Sequence, residues 1–242
     1  MKPDSPYKLP PVRMIRHTDA LRTLVNALRR EPLLALDTES NSLFAYYEQV
    51  CLVQLSTRTQ DYIIDPLAID DMSPLGEVLA DPAIEKVLHA AEYDVITLKR
   101  DFSFEFANLF DTMLAARICG WPKTGLGTIL GEQFGVEVEK RYQRADWTVR
   151  PLPPEQLRYA QMDTHFLPGL RDHLRAELAA RGALEEALET FAELPKLAPA
   201  EFSFDPEGYW RMHQLRDLSR RQLAIARELY LERDAIAREL DW

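Results

Sequence analysis

A chain of 242 residues, 46% of them hydrophobic, is long enough for one large α/β domain with a small appendage and apolar enough for an ordinary packed core. Its formal net charge of -10 argues against a protein held to nucleic acid by a broad basic surface, and favours brief catalytic contact over storage or packaging. No apolar run is long enough to cross a membrane, Met1 to Pro11 lacks signal-peptide character, and the two cysteines, Cys51 and Cys119, sit in apolar segments as reduced core residues. A cytoplasmic protein without membrane contact is the expectation.

Leu21, Leu24, Val25 and Leu28 follow helical spacing, which predicts an amphipathic helix over Thr18 to Arg30 with Thr18 as its cap. Glu31-Pro32 ends it, and LLALDTE (33–39) reads as a buried strand. Val50 to Ser56 is a second strand, Thr57 to Gln60 a hairpin turn, and Tyr62 to Asp65 a third strand. Ser73-Pro74 opens a short helix with serine as cap. Lys86 to His89 is a fourth strand, followed by a helix from about Tyr93 to Arg100, and Leu109-Phe110 belong to a possible fifth. Helices are expected at 112–119 and 126–134, then a long polar loop from Val136 to Pro153. A helix from about Glu155 toward Arg181 should bend at Pro168, because proline removes a backbone hydrogen bond. Early hairpin order followed by helices indicates a mixed sheet flanked by helices. The proline-containing stretch 195–206 reads as a linker between a catalytic domain, 1–194, and a helical tail, 207–242.

Three short patterns carry candidate chemistry. In Asp37-Thr38-Glu39 the two acids alternate with one residue between them, so on a strand both project from the same face near its end. Two adjacent carboxylates repel, and a divalent cation between them removes that cost. Tyr159 and Asp163, four apart on a helix, share a face, where a phenol beside a carboxylate could orient a water. Asp94 sits in the first turn of a helix. Each has an ordinary alternative: solvated strand-end acids, a core tyrosine beside a surface aspartate, an acid placed by the helix dipole. Together, four acids and one tyrosine occupy a strand end, a helix start and a late helix, where a two-metal site on a mixed sheet needs them.

Over roughly Glu31 to Gly182 the sequence resembles the DEDDy exonucleases, and within them ribonuclease D and the catalytic subunit of the nuclear exosome. LDTESNS, VLHAAEYDVITLKRDF and YAQMDTHFL are similar to the three exonuclease motifs. The intervening VQLSTRTQDYIIDPL, NLFDTMLAARICG and RYQRADWTVRPLPPEQLRYA match as well. The resemblance implies a ribonuclease-H-like (DnaQ-like) fold. It implies that Asp37, Glu39, Asp94 and Asp163 hold two Mg²⁺ or Mn²⁺ ions, with Asp37 as the shared ligand, and that Tyr159 orients the attacking water. The expected reaction releases nucleoside 5′-monophosphates from single-stranded RNA 3′ ends, as in tRNA maturation or RNA decay, with no obligate protein partner evident. Among substrate contacts it implies Thr38, His89 and Lys140. Leu43 and Phe44 would either wedge against terminal bases or pack in the core. Lys140, Arg141, Arg144, Arg150 and Arg158 form a local basic strip suited to phosphates, and Trp147 within it would stack or anchor the loop. The tail resembles the opening helix of an HRDC domain, of which only the beginning is present, so weaker RNA binding is expected than for a relative with the whole domain. Two other readings stay open: a DNA 3′→5′ exonuclease of proofreading type, distinguished by indifference to the ribose 2′-hydroxyl, and a non-catalytic binding module, whose signature would be loss of one of the acids.

Overall fold

The computed structural model describes residues 9–199 and 203–242, apart from the side chain of Lys140. These divide into two units: 9–40 with 50–199, and 41–49 with 203–242. The first unit runs β1 (Arg13–Ile15), α1 (Thr18–Leu28), β2 (Leu33–Ser40), β3 (Val50–Ser56), β4 (Asp61–Ile64), α2 (Ser73–Leu79), β5 (Glu85–Leu88), α3 (Glu92–Phe102), β6 (Leu109–Asp111), α4 (Thr112–Ile118), α5 (Leu126–Phe134), α6 (Pro154–His165), α7 (Leu167–Ala180) and α8 (Leu184–Phe191). The second contains α9 (Arg220–Leu240). No described helix is long and apolar enough to cross a membrane.

The six strands form one sheet in the order β1-β4-β3-β2-β5-β6. Only β3 runs against the others: it pairs antiparallel with both β2 and β4, while β1 with β4, β2 with β5, and β5 with β6 are parallel. β3, VCLVQLS, is buried along its whole length, as a central strand covered on both faces must be. Its turn into β4 is closed by Thr57, whose hydroxyl oxygen accepts from the amides of Thr59 (3.2 Å) and Gln60 (3.0 Å). α1 buries Leu21, Leu24, Val25 and Leu28, the stripe its spacing predicts.

Several local expectations are corrected. His17, not Thr18, occupies the N-cap of α1, and Met72, not Ser73, that of α2, whose first residue Ser73 donates its amide to Asp71 at 3.0 Å. The long helix expected to bend at Pro168 is two helices broken at Phe166; Pro168 lies in the first turn of α7, where its missing N–H costs nothing. The polar loop 136–153 contains a 3₁₀ turn, Lys140–Arg144, and buries Trp147. β1 and α8 lack a distinct signal: three residues are too few to show alternation, and α8 follows α7 after a three-residue break, Arg181 to Ala183.

In the second unit, Ser219 and Gln222 form a capping box at the start of α9. The segment 41–49 is tied to that helix by Tyr46, whose hydroxyl donates to Asp234 at 2.7 Å, and by the Tyr47 amide, which donates to Asp241 at 2.7 Å.

One buried acid organises the turn from β5 into α3. Asp111 accepts four amides: Ala90 (3.2 Å), Ala91 (2.8 Å), Met113 (2.7 Å) and Leu114 (3.0 Å). It therefore caps α4 and holds Ala90 in the left-handed region, at a φ of 62° that a residue with a Cβ adopts only under constraint. Asp111→Ala is expected to destabilise the protein by about 3 kcal/mol or more, from orphaned buried amides together with the lost cap, measured by urea denaturation. Asp111→Asn, which keeps one acceptor oxygen, should lose less; equal losses would show that the amides do not depend on this carboxylate.

Candidate active site

β2 carries Asp37, Thr38 and Glu39 in its second half. The alternation puts Asp37 and Glu39 on the face covered by α6 and turns Thr38 the other way. β5 stops pairing with β2 at Ala35↔Val87, and the chain then bends through His89 to Ala91 into α3. Asp94, in the first turn of α3, thereby reaches Thr38, whose hydroxyl donates to Asp94 Oδ1 at 2.6 Å. The Thr38 hydroxyl proton is thus engaged with a carboxylate.

α6 lies over β2, β3 and β4 and brings in Asp163. Carboxylate oxygens of Asp37, Glu39 and Asp163 all lie within 4.8 Å of one another. Asp94 shares their electrostatic field, raising the pKa of each of the three. Burial, then Asp163 and Asp94, push Glu39 up to about 9. Burial raises Asp163 to about 8, with Asp94 adding to it and a hydrogen bond from Tyr159 opposing it. Burial lifts Asp94 to about 7 against the hydrogen bonds from Thr38. Asp37 is held well above the usual carboxylate range by burial and then by Asp94, Asp163 and Glu39. Four acids with so little compensating positive charge form a donor set of hard oxygens, which suits divalent cations of the Mg²⁺ type.

Tyr159 is buried on the same helix as Asp163, with the rings of Tyr142 (5.9 Å between centroids) and Trp147 (6.1 Å) beside it. Burial first, then Asp163, Glu39 and Asp37, push its phenol well above its ordinary value, so the hydroxyl stays protonated and donates to Asp163. Trp147 is an anchor: it is 1% exposed and packs the loop onto β3, β4 and α6.

Arg150 clamps the same loop. Its five N–H groups meet Asp65 twice (2.7 Å each) and the carbonyls of Trp147 (2.7 Å), Val149 (2.9 Å) and Cys51 (2.9 Å). The expected phosphate contact by Arg150 is therefore corrected: no donor is left for it. His89 Nδ1 donates to the Thr112 hydroxyl oxygen at 2.9 Å, since that hydroxyl gives its own proton to the Leu88 carbonyl at 2.9 Å. Burial lowers the His89 pKa, against the nearby Asp111 charge and a hydrogen bond to the Thr124 backbone that raise it. Leu43 (64% exposed) and Phe44 (39%) do not pack in the core; they belong to the second unit and line a groove of about 820 Å³ with Leu229, Ile236 and Trp242. The Lys140 side chain lies outside the described residues. Arg144 and Arg158 are exposed and form no ion pair among the described residues.

Sequence reading did not single out three supporting acids: Asp111 at the α3 entry, Asp65 on Arg150, and Asp61. The last accepts from Gln161 (2.6 Å) and His165 (2.9 Å) and so orients α6. Asp111 alone had a signal, an aspartate directly before a helical run, the pattern of an N-cap.

Because the folded-state pKa values of the cluster lie above those of free carboxylates, the native state keeps protons that the unfolded chain has released, and stability falls as pH rises through this range. In chelator, the melting temperature of the wild type should fall relative to that of Asp37→Asn between about pH 6 and about pH 8, as followed by thermal melts. A constant difference across that range would mean that the acids do not share a field.

Comparison with known proteins agrees with this arrangement. Residues 12–179 match a protein family described as 3′-5′ exonuclease. The chain is 36% identical over 244 residues to exosome complex component 10 of Rattus norvegicus, covering 98% of this chain and 28% of that protein. It is 36% identical over 240 residues to ribonuclease D of Acidiphilium cryptum, covering 98% and 60%. Both relatives thus extend well beyond the length matched here. Among solved structures, the catalytic core of RRP6 from Trypanosoma brucei superposes with a TM-score of 0.91 at 36% identity, covering 99% of this chain and 68% of that one. The six-stranded mixed sheet is the ribonuclease-H-like sheet of such cores. With its acids on β2, α3 and α6 and its match extending over most of its length, the chain belongs to the 3′-5′ exonuclease family.

Proposed function

We propose that this chain is a 3′→5′ exoribonuclease that hydrolyses the terminal phosphodiester of single-stranded RNA and releases nucleoside 5′-monophosphates. The observation that carries the reading is the convergence of Asp37, Glu39 and Asp163 within 4.8 Å, with Asp94 in the same field. RNA is favoured as substrate because the curated relatives are a ribonuclease D and an exosome component.

In this reading Asp37, Glu39, Asp94 and Asp163 hold two divalent cations, Mg²⁺ or Mn²⁺. When bound, such ions supply Lewis acidity at the phosphate and make water a usable nucleophile near neutral pH. The carboxylates, being acceptors only, fix where the cations sit. The protonated Tyr159 hydroxyl cannot act as a base at neutral pH, so its part is to hold Asp163 and to orient the attacking water. Water oxygen bonds to phosphorus, the bond to the penultimate O3′ breaks, and O3′ gains a proton. Arg144 and Arg158, exposed and without an ion pair among the described residues, are the members of the basic strip assigned in this reading to phosphates of the incoming strand. Arg150 instead keeps the Trp147 loop packed beside Tyr159.

Asp37→Asn is expected to lower turnover of end-labelled RNA by about 10³-fold or more while the protein stays folded. Retained turnover in that variant would remove the two-cation assignment. Tyr159→Phe should reduce kcat about 10² to 10³-fold with a smaller loss of Mn²⁺ affinity, as measured by calorimetry, because the phenol also donates to Asp163; a loss of Mn²⁺ affinity as large as the loss of kcat would make the phenol a support for that ligand alone. Matched single-stranded RNA and DNA, with products resolved by length, decide the substrate: RNA degraded faster is the expected result, and equal rates would favour the DNA-acting reading.

A further inference from the structure

The pairing register defines a row of side chains on the sheet face beneath α6. Residues directly opposite on neighbouring strands share a face. Asp37 stands opposite Gln54, and Gln54 opposite Ile63; one step along, Ala35 stands opposite Ser56, and Ser56 opposite Asp61. That this is the face of α6 follows from its contacts. The Ser56 and Thr164 hydroxyls bond at 2.8 Å, Asp61 accepts from Gln161 and His165, and Ile63 packs with Tyr159 and Ala160.

Ser56 and Asp61 are thus partnered, and Gln54 differs from them. Gln54 is 0% exposed, and among the described residues neither its amide nitrogen nor its amide oxygen has a hydrogen-bond partner. An amide offers two donors and an acceptor, and burying all of them unpaired is costly where a methionine or leucine would fill the same space. Its polar neighbour across the strand pair is Asp37, the acid most surrounded by other acids. A backbone hydrogen bond at Thr38 opposes the rise in the Asp37 pKa that burial and the neighbouring acids cause.

We propose that Gln54 is a positioning residue for Asp37: its carboxamide donates, through one internal water, to the Asp37 carboxylate and keeps the oxygens turned toward the cations. Donors behind a cation ligand orient it, and removing one typically weakens cation binding by about 10- to 100-fold. A water between two opposed polar side chains costs little to hold when both bond to it, and the register sets the Gln54 amide opposite the Asp37 carboxylate. The inference rests on the two-cation reading of the carboxylates.

The test is Gln54→Met, with Gln54→Leu as a second apolar replacement, against wild type and Asp37→Asn. In chelator, both apolar variants should fold and melt near the wild-type temperature, because no protein group among the described residues depends on the amide. Titration with Mn²⁺ should show affinity lowered about tenfold or more in both, with kcat on RNA falling in parallel. Wild-type Mn²⁺ affinity in either variant overturns the proposal and leaves Gln54 as an interior amide. Failure of both variants to fold in chelator also overturns it, since the amide would then serve the fold itself. If the wild type binds no Mn²⁺, or Asp37→Asn binds it equally well, the two-cation reading fails first.

Discussion

Mutual repulsion among Asp37, Glu39, Asp94 and Asp163 is the constraint around which the rest of the structure is arranged. Unit charges a few ångströms apart, partly withdrawn from water, repel strongly, and burial adds to the cost of ionising each one. No single element could hold such a group. β2 supplies two acids at its end, α3 delivers the third where β5 leaves the sheet, and α6 lays the fourth across the strands. The packed core beneath, formed by the fully buried β3 and its neighbours, provides the stability against which this local strain is tolerated.

The acids of the first unit fall into two groups by what surrounds them. Asp61, Asp65 and Asp111 are met by several donors each, from Gln161 and His165, from the fork of Arg150, and from four backbone amides. Those three hold chain segments in place. At Glu39 and Asp163 burial and neighbouring acids outweigh any donor, and their affinity for protons is raised accordingly. The same residue type thus serves as a brace or as a cation-seeking ligand according to whether donors reach it.

The loop 136–153 shows how the support extends to the phenol. Trp147 and Tyr142 pack beside Tyr159, and Arg150 ties the loop to β3 and to Asp65 at the end of β4. A basic residue in an otherwise acidic chain is here an internal clamp, while Arg144 and Arg158 keep their charges outward. Exposure, rather than charge, separates the arginines that can meet a phosphate from the one that cannot.

By itself the sequence determined the element types and the candidate ligands. The i, i+2 spacing of Asp37 and Glu39 and the i, i+4 spacing of Tyr159 and Asp163 are local periodicities, and local geometry is legible wherever an element is long enough to show its period. The three-residue β1 was too short for that, and the helix break at Phe166 depends on packing that Pro168 only hinted at. Tertiary structure alone decided that Thr38 meets Asp94, that Arg150 faces Asp65, and that Gln54 lies opposite Asp37. Each of these joins residues far apart in the chain, and only strand register and helix packing set such distances. Whether an acid finds donors or other acids around it is likewise a property of the assembled site, because a residue's partners are not written in its own neighbourhood of the chain.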